Sequence, residues 1–481
     1  MSITPSLPPL NDPALPERTR LRVIFYLIPY LFFLYILAYL DRTNVSVAQL
    51  EMQRPVSEGG LAFTKTVCGF GAGLFFWGYW ILEIPSTQSV LSWGARWVFV
   101  RILILWGLSC TFIGFVGLPW MNSAFAWLPP MDRLGIPPWI MEYLPHIPGD
   151  AVVSQFYFLR FMLGLFEGGF FPAVILYLSI WFRPRDRARA IASFMSAIPV
   201  SSMIGYPLSA LLLDINWMGL PGWRWVFIIQ GVVPVLAGFV TLFFLPDRPE
   251  KASWLPDDEK SWLVNELHKE QSAKVGHGHG WGGQVWLVLI MTLYYFCMNV
   301  ASYGLSLFMP DIIKSQSGFS SKWAAILAGA PFVFALLGML VNGWHSDKYQ
   351  ERVWHVATPL FGLSISLAGA GLAISLSAPW VAIAILIVGV GTCMYAHLPA
   401  FWPLPTLFMG AAAAAAAIGF INMIGNLGGF VGPTIFSEAA EKKDYARGLF
   451  TLAPFPLVSL SVILLVGYLR RDRLRAAREN A

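Results

Sequence analysis

The sequence predicts an all-α membrane protein: twelve transmembrane helices in two six-helix bundles. Of its 481 residues 57% are hydrophobic and 12% charged, with a mean hydropathy of +0.62, more apolar than the surface of a water-soluble chain of this size sustains. Apolar runs of about 20 residues, the length that crosses a bilayer as a helix, recur along nearly the whole chain. The longest strongly polar segment, 247–283, separates them into six and six.

In chain order, the N-terminal tail 1–21 has no apolar core near its start and no small-residue cleavage site, so it reads as a cytoplasmic tail and not a signal peptide. The N-terminal bundle, 22–246, holds spans expected at 22–49, 66–92, 97–119, 151–182, 188–213 and 223–246. Between its third and fourth spans a connection with Pro129, Pro130, Pro137, Pro138, Pro145 and Pro148 reads either as a folded flap over the outer mouth or as filler. In the linker, 247–283, Asp257, Asp258 and Glu259 open a helical pattern with Trp262, Leu263 and Leu267 on one face, an amphipathic surface helix. The tract His277-Gly278-His279 offers two imidazoles on a glycine-rich loop, a poor metal site. The C-terminal bundle, 284–469, holds spans expected at 284–310, 322–345, 354–377, 380–403, 407–437 and 447–469, and a cytoplasmic tail, 470–481, follows.

Of the 32 Lys and Arg residues, 21 fall in the tails and even-numbered connections and 9 in the odd-numbered ones, while Arg42 and Arg160 lie within spans. That bias places both ends in the cytoplasm, in a cell inner (plasma) membrane. The net charge of +5 reflects these loops and does not argue for nucleic acid. The four cysteines, Cys68, Cys110, Cys297 and Cys393, all fall in spans at no metal-ligand spacing and read as packing residues, with no cofactor implied.

Charge inside the spans is the functional signal. The string YLDRTN at 39–44 sets Asp41 and Arg42 within the first apolar run; a charge at bilayer depth costs roughly 2.5–3.5 kcal/mol on insertion scales and usually lines a water-filled path or a binding cavity. Arg160 and Glu167, seven apart on the fourth span, project from nearly one helix face, with Gly164 leaving room between them for a ligand or a partner helix. An arginine fork that keeps its charge suits a carboxylate.

Several strings resemble the anion:cation symporter family of the major facilitator superfamily: YLDRTN at 39–44, GYWILEIPS at 78–86, LRFMLGLFEGGFFPAVILYLSIWF at 159–182, LPDRPEKASWL at 245–255, GWHSDKYQERVWH at 343–355 and INMIGNLGGFVGP at 421–433. The resemblance implies a major facilitator fold working by alternating access, commonly importing an organic anion with protons. The residues point the same way: Arg42, helped by Arg160, would hold the substrate carboxylate, while Glu167 and Asp41 carry the coupling proton. An ion pair of Asp41 with Arg160 that only fixes packing is the competing reading. By resemblance, Tyr39, Tyr79, Trp402 and Asn422 line the cavity, with Asn426 and Tyr303 as further candidates. The tenth span departs from the family's glycine-proline-phenylalanine-tryptophan run, reading His397-Leu398-Pro399-Ala400-Phe401-Trp402.

The inner loops supply a candidate gate. Arg96 after the second span, and Asp347, Lys348 and Arg352 after the eighth, are expected to pair between the bundles and close the inner mouth. Gly425, Gly428, Gly429 and Gly432 allow close packing or bending of the eleventh span. An intramembrane enzyme is disfavoured, since no nucleophile, phosphate-binding loop or HExxH stands at motif spacing. A sensor is disfavoured by tails too short to fold into an output domain. The expected partners are a small organic anion, protons and the lipid bilayer, acting on a monomer; an exchanger or facilitator without protons is the alternative.

Overall fold

The computed structural model describes residues 14–129, 150–273, 284–409 and 411–472. Pro130, Pro137, Pro138, Pro145 and Pro148, the His277-Gly278-His279 tract, and Arg473, Arg475 and Arg478 lie outside the described residues.

Twelve helices are long and apolar enough to cross a membrane: α1 Leu15–Met52, α2 Lys65–Trp93, α3 Ala95–Ile113, α4 Ala151–Trp181, α5 Ser193–Leu212, α6 Gly222–Phe244, α7 Val285–Ser317, α8 Ser321–Tyr349, α9 Val353–Ser375, α10 Pro379–Phe408, α11 Ala416–Glu441 and α12 Tyr445–Leu469. No strand occurs among the described residues; Trp217 and Leu220 form an isolated bridge. Helices satisfy their own backbone groups, which is the condition for an extended segment to cross hydrocarbon. Local chemistry fixes two of the starts: the Thr64 side chain caps α2 by accepting from Val67 N at 3.1 Å, and Asp150 caps α4 by accepting from Val152 N at 2.9 Å.

Helices α1–α6 and α7–α12 form the two bundles. In the first, α3 packs along α6 and α2 along α4; in the second, α7 packs along α11 and α12. The bundles meet along three seams, α1 on α7, α2 on α11 and α5 on α8. Gly164 answers the question its position raised, because a Cβ there would stand 1.9 Å from the Phe75 carbonyl oxygen. The space belongs to α2 and not to a ligand.

Several spans are interrupted, α8 at 329, α11 at 426–427 and α12 at 453 among them, and so is the fourth span of each bundle. In α4 the helix stops at Glu167 and restarts at Phe170, with Gly169 at φ 89°. In α10 a π-helical stretch, Ile385–Val390, is followed by a break at 395–397. Irregular backbone at membrane depth is tolerated where it is buried in protein or lines a cavity, and paired interruptions in equivalent spans point to a binding site.

The linker helix, Asp257–Ala273, docks on the end of α1, and that end of the molecule is called inner below. Arg18 reaches Asp258 at 2.5 Å and Glu259 at 2.8 Å, Arg22 reaches Glu259 at 3.1 Å, and Leu263 is buried in the core. The helix's apolar face therefore meets protein.

The opposite, outer end is sealed across the bundles. Lys65 Nζ at the start of α2 lies 2.5 Å from Asp311 Oδ2 on α7, Tyr445 OH at the head of α12 donates to that same oxygen at 2.6 Å, and Glu441 Oε2 accepts from the Lys65 backbone at 2.7 Å. Further in, Gln49 Nε2 donates to the Leu307 carbonyl at 2.7 Å and Tyr206 OH to the Ser306 carbonyl at 2.6 Å. The inner gate differs from expectation. Asp347 pairs with Arg352 of its own loop at 2.5 Å, Lys348 lies over Trp344 and Tyr349, and Arg96 Nε donates to the Leu245 carbonyl at 2.7 Å. None of these contacts bridges the bundles: Asp347 and Arg352 pair within one loop, and Arg96 is held by the end of α6 in its own bundle.

Candidate functional site

Arg42 stands at the centre of the molecule on α1, with its side chain 8% exposed. Both Nη2 (2.8 Å) and Nε (3.3 Å) donate to Glu167 Oε1, and Nη1 donates to Tyr303 OH at 2.9 Å on the opposite bundle. Three rings surround the guanidinium, Tyr39 at 4.8 Å, Tyr79 at 5.2 Å and Phe75 at 5.3 Å. Aromatic faces attract the cation, so the pair is held in a buried cage. Glu167 reaches Arg42 because it is the last residue before the α4 interruption, and its Oε2 is buried without a hydrogen-bond partner.

Asp41 and Arg160 occupy a second layer, inside the N-terminal bundle. The Asp41 carboxylate, fully buried, accepts from Asn44 Nδ2 at 2.9 Å and Cys110 Sγ at 2.8 Å through Oδ1, and from Trp106 Nε1 through Oδ2. The adjacency of Asp41 and Arg42 sends them about 100° apart on the helix, so they serve different partners. Arg160 donates to the backbone carbonyls of Gly71 at 3.3 Å and Asp41 at 3.4 Å. It makes no ion pair within 4.0 Å among the described residues, so the pairing with the Asp41 carboxylate weighed from the sequence is not formed. Arg160 shares the Phe75 ring with Arg42, at 5.4 and 5.3 Å, and is itself 2% exposed.

From the second bundle, Tyr303 touches Arg42 directly. Tyr295 packs on Trp402 with ring centres 5.1 Å apart, and Trp402 Nε1 is buried without an acceptor. Asn422 is engaged by Glu83 of α2, at 2.6 Å from Nδ2 to Oε1. Asn299 donates to the Gly425 carbonyl at 3.0 Å and to Asn426 Oδ1 at 3.4 Å. His397 is held on both nitrogens, Nδ1 by Tyr294 OH at 2.5 Å and Nε2 by the Met394 carbonyl at 3.2 Å, the arrangement of a satisfied neutral imidazole. Between the bundles lies a cavity of about 20 Å³, lined among others by Tyr39, Asn299, Ser302, Tyr303, Tyr395 and His397. It has room for little more than a water molecule, so this is a closed arrangement.

Sequence reasoning passed over Glu83 although it stood inside the GYWILEIPS string, as an acid in an apolar run. It also passed over Phe75, whose role in the cage carries no sequence signal, and the outer seal of Lys65, Asp311 and Tyr445, which joins residues hundreds of positions apart.

Comparison with known proteins agrees with this architecture. The model of the Major Facilitator Superfamily matches residues 31–433. A "Putative tartrate transporter" of Agrobacterium vitis is 36% identical over 456 residues, covering 94% of this chain and 95% of its own. A "Quinolone resistance transporter" of Acinetobacter baumannii is 33% identical over 465 residues, covering 95% and 96%. Among solved structures, a bacterial homolog of the human lysosomal transporter Spinster, inward-facing, superposes with a TM-score of 0.68 at 16% identity, covering 95% of this chain and 98% of that one. Twelve spans in two bundles, an ion pair caged between them, and relatives of this kind along the full length make the chain a member of the Major Facilitator Superfamily, a multi-pass membrane transporter and not an enzyme.

Proposed function

We infer that the protein imports an organic anion, a carboxylate of the hydroxy-acid or sugar-acid type, together with protons by alternating access. The observation that carries this reading is the doubly held contact of Arg42 Nη2 and Nε with a single oxygen of Glu167 in a buried centre. A guanidinium already neutralised by a carboxylate has no charge to offer an anion. A proton taken up by Glu167 frees the fork, and the substrate carboxylate takes the vacated place, so site charge is unchanged when anion and proton enter together. The unpaired Nε1 of Trp402 is a further donor for the anion, and Tyr39, Tyr79 and Tyr303 supply hydroxyl partners for substrate oxygens.

Charge bookkeeping across the membrane supports coupling. Each negative charge entering alone against an inside-negative potential is opposed by about 2.3 kcal/mol per 100 mV, and one proton per carboxylate cancels that cost. The loop charges favour an inner (plasma) membrane with both ends cytoplasmic, and the protein is read as acting as a monomer. The tartrate relative's name supports a hydroxy-dicarboxylate as the first substrate to test.

Uptake of labelled tartrate into vesicles holding the purified protein, with and without an imposed pH gradient, tests the reading. Accumulation that follows the gradient supports symport, whereas equilibration or exchange indifferent to it indicates a facilitator or exchanger. A quinolone added as competitor tests the rival class suggested by the second relative. Uptake of the quinolone itself, read by its fluorescence, with no tartrate uptake would overturn the substrate class.

A further inference from the structure

A further carboxyl, apart from the Arg42–Glu167 pair, the Asp41 layer and the outer Asp311, is buried between the bundles. Glu83 sits on α2 four residues beyond Tyr79 toward the inner end, on the same helix face, and is 2% exposed. Its Oε1 accepts from Asn422 of the other bundle at 2.6 Å, while its Oε2 is buried with no hydrogen-bond partner. A charged oxygen shut away from water without a donor is a costly arrangement at membrane depth. A proton on Oε2 removes the charge and leaves Oε1, then a carbonyl oxygen, still accepting from Asn422.

The contact lies toward the inner end of the α2–α11 seam. Nearer the outer end that seam is close-packed, with a Cβ on Gly73 falling 2.7 Å from the Phe430 ring and one on Gly429 falling 2.4 Å from the Phe76 ring. For the inner mouth to open, the part of the seam held by Glu83 and Asn422 must separate, and water then reaches both carboxyl oxygens. The titratable groups facing Glu83 are Arg42 from α1, Tyr295 from α7 and Tyr79 of its own helix. From α4, Glu167 is already held by Arg42; from α3, Arg101 donates to Ser86 Oγ; and α11 presents the uncharged Asn422.

We propose that Glu83 is a further proton carrier of the transport cycle beside Glu167, protonated while α2 and α11 are in contact and releasing its proton to the inner side when they part. In the release step the Glu83 O–H bond breaks, the proton passes to water in the opened mouth, and the hydrated carboxylate remains. The proposal rests on the reading of the protein as proton-coupled.

Infrared spectroscopy of the purified full-length protein tests the protonation itself, without need of a substrate. The carbonyl stretch of a protonated carboxyl is expected in the wild type and lost in E83Q, with E167Q assigning any second band. A band set unchanged in E83Q overturns the proposal. Should E83Q fail to fold, N422A, which removes the donor to Oε1, is expected to move the same band, and an unmoved band overturns the proposal equally. In vesicles with labelled tartrate and a one-unit pH gradient, loss of one coupled proton lowers the accumulation ratio about tenfold. E83Q is expected to show that loss while tartrate exchange stays measurable. Wild-type accumulation in E83Q would overturn the carrier role. A wild type that shows the band but never accumulates tartrate overturns proton coupling and reduces Glu83 to a protonated seam residue.

Discussion

Arg42 has two chemically distinct claims on it, Glu167 from its own bundle and Tyr303 from the other. Arg42→Ala removes the substrate's charged partner and leaves Glu167 buried alone, so tartrate affinity measured by calorimetry is expected to fall by about 2–5 kcal/mol; an unchanged Kd removes Arg42 from the site. Glu167→Gln is expected to lower proton-driven accumulation while leaving exchange measurable, and full accumulation in that variant removes Glu167 from coupling. Asp41 differs from both. Its oxygens are filled by Asn44, Cys110 and Trp106, and the amide of Asp41→Asn would set its own N–H groups against some of those donors. The expected cost is about 1–3 kcal/mol of stability, read as a lowered melting temperature; a variant that melts like the wild type yet loses accumulation would assign Asp41 to the proton path instead.

At the scale of elements, the α4 interruption decides where Glu167 points. Gly169 holds φ 89°, and a Cβ there would fall 2.6 Å from the Ser86 Cβ, so backbone conformation and space both demand glycine. A left-handed residue with a side chain costs about 1–2 kcal/mol before any clash is counted. Gly169→Ala is therefore expected to lower stability by at least that amount and to slow transport, because α2 must shift or the Glu167 end of the helix must rewind. Wild-type transport in this variant would show that the break is incidental to the site. The equivalent interruption in α10 places Tyr395 and His397 against the same cavity from the other bundle.

At the scale of the whole molecule, closure is uneven. The outer end carries ionic contacts between bundles at Lys65 and Asp311, whereas the inner loops satisfy their charges locally. Removing one partner of a nearly buried pair costs about 3–5 kcal/mol. Asp311→Asn should thus shift the population toward outward opening, measured as faster labelling of a cysteine placed at Ser302 by an external membrane-impermeant thiol reagent. A labelling rate equal to that of the same cysteine in the unaltered background would show that the pair does not govern the outer mouth.

By itself the sequence determined that the chain is a membrane protein of twelve helices in two bundles, because hydrocarbon imposes length, polarity and internal hydrogen bonding on any segment that crosses it. It also marked Asp41, Arg42, Arg160 and Glu167, since charge inside an apolar run is costly enough to be conspicuous. Only the tertiary structure decided how these charges divide. Arg42 and Glu167 meet in an aromatic cage, Asp41 and Arg160 lie behind them, and Glu83 joins Asn422 across 339 positions of chain. Helical periodicity fixes which face of one helix a residue occupies, but not which helix that face meets, and that choice belongs to the packing of the two bundles.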